Sequence, residues 1–191
     1  MATVTRTLGF AVLGLLAKQP RTGYEISRAM QRPVGYFWSA GHSQIYPELA
    51  ALEADRLVRS TIISGPGPRD TKRYAITARG SSSLTTWLKS PVPPETHKDE
   101  LMLRIWSLWL LSPDDARELV REVRAEHLAA LDAYAFEEQE FMHGEEPITD
   151  PTAPAFGEYA TLRYGMLRRR ASVEWCDWLL TQLSQHGNET T

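Results

Sequence analysis

The switch from a helical to a strand pattern within the first 90 residues most constrains the fold of this chain. After three segments of helical spacing come two runs rich in β-branched and aromatic residues, Leu57 to Ser64 and Thr71 to Thr77. The letters GPGPRD that separate these runs are typical of a turn. The pattern therefore predicts a β-hairpin that follows three helices.

The three helices before the hairpin are predicted at residues 7–18, 23–30 and 43–55. The first is apolar on nearly every side, which predicts a central, buried position. Thr22 and Ser43 are placed to cap the second and third helices, and Pro47 is expected in the first turn of the third. Three helices and a hairpin are the element order of a winged helix-turn-helix domain.

Beyond the hairpin the pattern is helical throughout. Thr77 can cap a fourth helix that includes Leu88, and three prolines between positions 91 and 94 then predict a break. Later helices are expected at residues 97–111, 112–142, with Ser112 as cap and Pro113 in the first turn, and 156–185. Two helices near thirty residues suggest packing against a second chain.

These patterns predict a mainly α fold with a small β-hairpin wing. We expect two domains: a winged helix-turn-helix DNA-binding domain at residues 1–90, and a helical domain at residues 91–191 for dimerisation and effector sensing. The net charge of the two expected domains also differs. Residues 1–90 contain twelve Lys and Arg against five Asp and Glu, a net charge of +7, whereas residues 91–191 have a net charge of −10. A basic module beside an acidic one favours a polyanionic partner for the first.

The third helix is the predicted DNA-reading element. When Ile45, Leu49 and Leu52 face the core, the opposite face near its start presents polar and small side chains: Ser43, Gln44, Tyr46 and Pro47. The wing adds three cations that can bind phosphate: Arg69, Lys72 and Arg73. Glu48 is assigned no contact, because a carboxylate near the groove repels phosphate unless it reads a cytosine amine.

The residues that carry a family resemblance lie in this same part of the chain. The segments TLGFAVLGLLAKQPRTGYEI, GHSQIYPELAALEADRLV and RDTKRYAITARG resemble the signature of PadR-like regulators. The matching positions are Ile45-Tyr46-Pro47, Leu49, Leu52-Glu53, Leu57-Val58, Tyr74, Ile76-Thr77 and Gly80. Arg56 departs from the usual glycine, which puts the turn after the third helix in question.

The resemblance implies a ligand-responsive transcriptional repressor that binds pseudo-palindromic operator DNA as a homodimer through its C-terminal helices. It covers about the first 90 residues in detail, and the second half is similar to a longer subgroup only in length and helical layout. The resemblance also implies that Tyr24, on the second helix, contacts the DNA backbone. The alternative is that Tyr24 only packs within its own domain.

A planar aromatic effector is the second expected partner. The candidates to bind it are the six tryptophans: Trp38, Trp87, Trp106, Trp109, Trp175 and Trp178. Trp38 and Trp87 are alternatives for a site between the domains. Core or dimer contact is the other interpretation for the last four, because each pair has helical i, i+3 spacing.

Other classes of protein are disfavoured by the sequence. The apolar stretch from Leu8 to Ala17 is about half of the roughly 20 residues that span a membrane. Cys176 is the only cysteine, so no intrachain disulfide can form, and a reducing cytoplasm fits. We expect no cofactor, no metal at His127 and no catalytic chemistry, because no phosphate-binding loop, nucleophile elbow or paired-histidine motif is present. The Arg168 to Arg170 run is expected to form salt links to a neighbouring helix. The alternative to a DNA-binding regulator is a winged-helix adaptor that binds only protein.

Overall fold

The computed structural model describes residues 7–30, 42–63, 71–94, 99–145 and 147–185. The chain divides into two compact units, Met1–Pro93 and Pro94–Thr191. The described residues are mostly helical and contain a three-stranded antiparallel sheet. The predicted fold class, mainly α with a small winged sheet, is confirmed.

The described residues of the first unit form four helices and three strands. In chain order they are α1 (Thr7–Lys18), β1 (Arg21–Thr22), α2 (Gly23–Ala29), α3 (His42–Ala54), β2 (Val58–Ile63), β3 (Thr71–Ile76) and α4 (Ala78–Leu88). The strand order is β1-β3-β2. β1 was not predicted, because two residues are too few to show a strand period; its pairing with β3 is decided by contacts distant in the chain.

The core of the first unit forms where α1, α2 and α3 pack together with the sheet. Ile45, Leu49 and Leu52 of α3 are all buried, so the predicted inward stripe of this helix is confirmed. α1 contributes buried Val12, Leu13 and Leu16 to the same cluster. This burial determines which face of α3 remains exposed.

The caps and ends of the helices agree with the sequence in part. Thr22 caps α2 in a complete capping box with Glu25, as predicted for a cap at that position. α3 begins at His42, so the prediction that Ser43 caps it is wrong and Ser43 lies in its first turn. Pro47 accordingly lies in the second turn, not the first, where it has no N–H to donate to the Ser43 carbonyl.

The turn after α3 has the geometry that the usual glycine would favour. The Leu57 amide donates to the Leu52 carbonyl oxygen at 2.9 Å and the Arg56 amide donates to the Glu53 carbonyl oxygen at 3.0 Å. These two bonds form a Schellman motif. Arg56 has a φ of 57°, in the left-handed region, so this arginine adopts a conformation that suits glycine better.

The described residues of the second unit form a short α-helix, a 3-10 helix and a pair of long helices. Its elements are α5 (Glu100–Trp106), a 3-10 helix (Leu108–Leu110), α6 (Pro113–His143) and α7 (Pro154–Gln185). The prediction of one helix over residues 97–111 is wrong: α5 begins after its cap Asp99 and ends at Trp106. The predicted cap of α6, Ser112, is confirmed, with Pro113 in the first turn.

α6 and α7 run antiparallel. Arg117, near the start of α6, donates to the carbonyl oxygen of Leu183 near the end of α7 at 3.2 Å. Glu138, near the end of α6, accepts from Arg163 at 2.6 Å. Among the described residues, no helix is both long and apolar enough to cross a membrane.

Candidate nucleic-acid interface

The first half of α3 exposes the side chains that the sequence predicts to read DNA. Ser43, Gln44 and Pro47 are exposed, and Tyr46 keeps 49% of its surface accessible. Glu48, one residue later, is only 7% accessible and lies with the buried side of the helix. The exposed face of α3 therefore presents hydroxyl, amide and ring groups without the carboxylate that would repel phosphate.

Tyr46 packs against the start of α2. A Cβ atom placed on Gly23 would lie 2.7 Å from Cε1 of Tyr46, so the ring occupies the space that glycine leaves open. Tyr24 follows Gly23 directly and is 61% accessible. The ring of Tyr24 thus lies outside the core, and its contact with the DNA backbone stays a prediction.

Strand β1, which was not predicted, connects the start of α2, where Tyr46 packs against Gly23, to the wing. Thr22 pairs with Arg73 of β3, and Gly23 is the next residue in the chain. Arg73 is exposed. The pKa of Glu25 is lowered mainly by a hydrogen bond from the Thr22 backbone, and the charges of Arg73 and Arg21 also lower it. Arg73 thus lies near the start of α2 and extends the exposed face toward the wing.

The other described wing cation, Lys72, has an acidic partner. Its Nζ atom lies 3.2 Å from Oε2 of Glu53, which is in the last turn of α3. Oε1 of Glu53 accepts a hydrogen bond from the Ser60 hydroxyl at 2.5 Å. These two donors hold the pKa of the Glu53 carboxyl below its usual value, the Ser60 hydroxyl more strongly than Lys72. Sequence reasoning assigned Glu53 no role, although it is one of the positions that match the family pattern.

The base of the wing closes on α4. Thr77 donates its hydroxyl to the carbonyl oxygens of Arg56 and Leu57 at 2.9 and 3.1 Å, and accepts from the Gly80 amide. A Cβ on Gly80 would lie 2.1 Å from the Leu57 oxygen. The threonine and glycine of the family pattern are therefore required by a close backbone approach.

Comparison with known proteins agrees with this arrangement. The sequence profile of the "Transcriptional regulator PadR-like family" matches residues 12–86, and that of "Virulence activator alpha C-term" matches residues 97–184. The chain is 34% identical over 182 residues to the negative transcriptional regulator PadR of Bacillus subtilis, which covers 94% of this chain and 99% of the relative. The chain belongs to the PadR-like family of transcriptional regulators.

Solved structures of relatives have the same fold as this PadR-like regulator. B. subtilis PadR in complex with operator DNA superimposes with a TM-score of 0.83 at 31% identity, covering 93% of this chain and 99% of that one. PadR of the same organism with p-coumaric acid gives a TM-score of 0.78 at 32% identity, with 94% and 99% covered. The virulence activator AphA of Vibrio cholerae gives 0.73 at 27% identity, with 94% and 99% covered. The prediction of a transcriptional regulator is confirmed.

The tryptophans predicted to bind an effector lie in different surroundings. Trp87 stacks on Phe10 of α1, with ring centroids 4.7 Å apart and an interplanar angle of 7°. Trp175 packs against the cluster of Val120, Cys176 and Leu179 between α6 and α7. The ring–ring contacts found among the described residues join none of these tryptophans to another.

The remaining tryptophans of the regulator are open to solvent. Trp106 and Trp109 are 84% and 80% accessible, and Trp178 is more than half accessible. The core interpretation is therefore wrong for these three. A dimer contact or a ligand contact stays the prediction for them. Trp38 and the wing residue Arg69 lie outside the described residues.

His127 and two arginines of the Arg168 to Arg170 run have specific neighbours in the second unit. Nη1 of Arg169 lies 2.7 Å from Nδ1 of His127, which links α7 to α6. Burial, and then the Arg169 charge, lower the pKa of His127. Arg168 lies over the ring of Tyr164 on its own helix, 5.8 Å from the centroid. For Arg168 and Arg169, the salt links predicted to a neighbouring helix are thus replaced by an imidazole and an aromatic ring.

Proposed function

We propose that this regulator binds operator DNA by placing the first half of α3 in the major groove. The observation that carries the proposal is the division of α3 into a buried apolar stripe and an exposed polar face, on a unit with a net positive charge. In winged-helix proteins this helix enters the groove while the wing lies along the backbone. The unit at residues 1–90 is accordingly assigned to DNA binding.

The side chains predicted to contact DNA divide into base readers and backbone contacts. Gln44 can pair with adenine through its amide, and the hydroxyls of Ser43 and Tyr46 can bond to a base edge or phosphate, with Pro47 beside them. Tyr24, Arg69 and Arg73 are assigned to the phosphate backbone. Lys72 was predicted in the same group, but it forms an ion pair with Glu53.

The regulator is proposed to act as a homodimer formed by residues 91–191. Exposed aromatic and aliphatic side chains on this unit support a second copy of the chain as the covering surface: Leu103, Trp106, Trp109, Phe136, Leu167 and Trp178. A two-fold dimer places two copies of α3 in successive major grooves, roughly 34 to 36 Å apart, which requires a pseudo-palindromic operator.

Sedimentation of the full chain tests the dimer. We expect a two-chain species that becomes a single chain when Trp106 and Trp109 are both changed to Glu. Gln139→Glu is the matched control, because it adds a charge at another exposed position of the same unit. A single-chain species in the unaltered protein would contradict the assignment.

A small planar aromatic compound is proposed as the effector, and repression as the mode of regulation. Support comes from PadR of B. subtilis, which is named a negative regulator and has been solved with p-coumaric acid. A ligand that binds better to another spacing of the two α3 helices would release the DNA. Titration with p-coumaric acid as the probe should quench tryptophan emission and lower DNA affinity. The site is located by repeating this titration on single variants: Trp87→Phe, Trp106→Phe, Trp109→Phe, Trp175→Phe and Trp178→Phe.

A gel-shift titration decides between this proposal and the protein-binding adaptor. The full chain is titrated against the DNA upstream of its own gene and against a scrambled duplex at several salt concentrations. We expect specific binding that weakens steeply with salt, because neutralised phosphates release counterions. Absence of binding to both duplexes at low salt would favour the adaptor. The proposed regulator is cytoplasmic and works by binding rather than by catalysis.

A further inference from the structure

Glu53 joins three elements of the DNA-binding unit through its two carboxylate oxygens. Oε1 accepts from the Ser60 hydroxyl of β2 at 2.5 Å, and Oε2 lies 3.2 Å from Nζ of Lys72 on β3. Glu53 itself lies in the last turn of α3. One carboxylate therefore holds the proposed reading helix to both strands of the wing.

The two neighbouring wing cations lie on opposite faces of the sheet. Successive side chains of a strand point to opposite sides of the sheet. Lys72 therefore shares a face with the buried Tyr74. Arg73 lies on the other face, together with Thr61, which pairs with it on β2. Lys72 is directed toward α3 and Glu53, and Arg73 is directed away. Adjacent positions of one strand thus place two similar charges in different surroundings.

The position of Glu53 along α3 separates it from the side chains proposed to read bases. It lies ten residues after Ser43, about 15 Å along the helix axis. A carboxylate in the last turn is disfavoured by the helix dipole, and a cation beside it is favoured. Lys72 provides that cation, so the charge of each side chain compensates that of the other at the end of α3 remote from Ser43.

We infer that Glu53 is a positioning residue of the DNA-binding surface, which uses Lys72 to set the wing against α3 and leaves Arg73 to bind phosphate. This inference rests on the proposed DNA-binding function and revises the prediction that Lys72 is a phosphate contact. A Glu–Lys ion pair of zero net charge releases no net counterion when it approaches DNA, whereas an exposed arginine on the opposite face that meets a phosphate does.

The test is the dependence of DNA affinity on salt concentration between 50 and 200 mM. It is measured for the unaltered full chain and four variants: Glu53→Gln, Lys72→Gln, Arg73→Gln and the double variant that combines Glu53→Gln with Lys72→Gln. Glu53→Gln retains an acceptor for Ser60 and removes the charge. We expect this variant to bind with a slope steeper by about 0.9, roughly a 3.5-fold larger loss of affinity over that range, because Lys72 is released.

The double variant separates the inference from a phosphate role for Lys72. We expect its salt slope to equal that of the unaltered protein, because two uncharged side chains replace an ion pair whose net charge is zero. Arg73→Gln is the matched control and should make the slope shallower by about 0.9. A double variant with a slope shallower by about 0.9, or an unchanged slope for Glu53→Gln, would overturn the inference.

A second measurement keeps the inference separate from the function on which it rests. The Nζ nitrogen signal of Lys72 in the protein without DNA should shift on Glu53→Gln, and no shift would show that the pair does not form in solution. If the signal shifts but the unaltered protein has no salt-dependent DNA affinity, the proposed function fails and the inference falls with it, although the pair exists.

Discussion

The ring of Tyr46 fills the space above Gly23, where an added Cβ atom would lie 2.7 Å from Cε1 of the ring. This contact joins the start of α2 to the exposed face of α3 and fixes where the tyrosine hydroxyl can reach. Because the ring can rotate away, Gly23→Ala should displace Tyr46 more than it unfolds the domain. We expect operator affinity to fall about fivefold, the loss of one hydrogen bond of about 1 kcal/mol.

The control for that substitution is Gly14→Ala in α1. A Cβ on Gly14 meets nothing within 4 Å, and alanine favours a helix by about 0.5–1 kcal/mol over glycine. Gel-shift titration should find operator affinity unchanged for Gly14→Ala. Equal affinities for the two variants would show that the position of Tyr46 does not matter for DNA binding.

Gly80→Ala should destabilise the winged domain more severely. Its Cβ would lie 2.1 Å from a backbone oxygen, that of Leu57, which also accepts from the amide and hydroxyl of Thr77. Backbone cannot rotate away as a ring can, so the start of α4 must separate from the base of the wing. We expect a loss of about 3 kcal/mol in the free energy of unfolding, measured by urea titration. A loss below that of Gly23→Ala would contradict this account.

Arg56→Gly should stabilise the protein. Arg56 has a φ of 57° at the end of α3, a conformation that costs an L-residue roughly 1–2 kcal/mol and glycine almost nothing. The larger freedom of glycine in the unfolded chain offsets part of the gain, so we expect about 0.5–1 kcal/mol in urea unfolding. Arg56→Ala removes the same charge but keeps the Cβ; an equal gain with alanine would assign the effect to charge.

Gln44→Ala should reduce the discrimination between DNA sequences. Gln44 is exposed on α3, and an amide that pairs with a base contributes about 1–3 kcal/mol of preference. Operator affinity should fall while affinity for a scrambled duplex and the salt slope stay unchanged, in a gel-shift comparison of the two duplexes. An equal loss on both duplexes would place Gln44 on the phosphate backbone.

The contact of His127 with Arg169 predicts a dependence of stability on pH. Burial, and secondarily the Arg169 charge, lower the pKa of His127 in the folded chain, so the unfolded chain binds its proton more tightly. The contribution of the neutral imidazole is complete above the ordinary pKa of about 6.5 and is lost as pH falls below it. The stability difference between the unaltered protein and His127→Gln should therefore shrink from pH 7.5 to 5.5 in urea titrations. A difference independent of pH would contradict this.

The sequence by itself determined most of the elements and the family of this regulator. Caps such as Thr22, Thr77 and Ser112 act on amides within three residues, and the stripe of Ile45, Leu49 and Leu52 reflects the period of one helix. Such signals depend on neighbours in the chain, which is why they can be recognised before any tertiary contact is known.

Only the tertiary structure decided how those elements form a surface. The pairing of β1 with β3, the packing of Tyr46 on Gly23 and the pairing of Glu53 with Lys72 join residues 19 to 53 positions apart. No local pattern encodes these partners, because each follows from packing around a shared core. The same packing placed Lys72 and Arg73, which had the same predicted role, on opposite faces of one strand, so that Lys72 pairs with Glu53 and Arg73 lies near the start of α2.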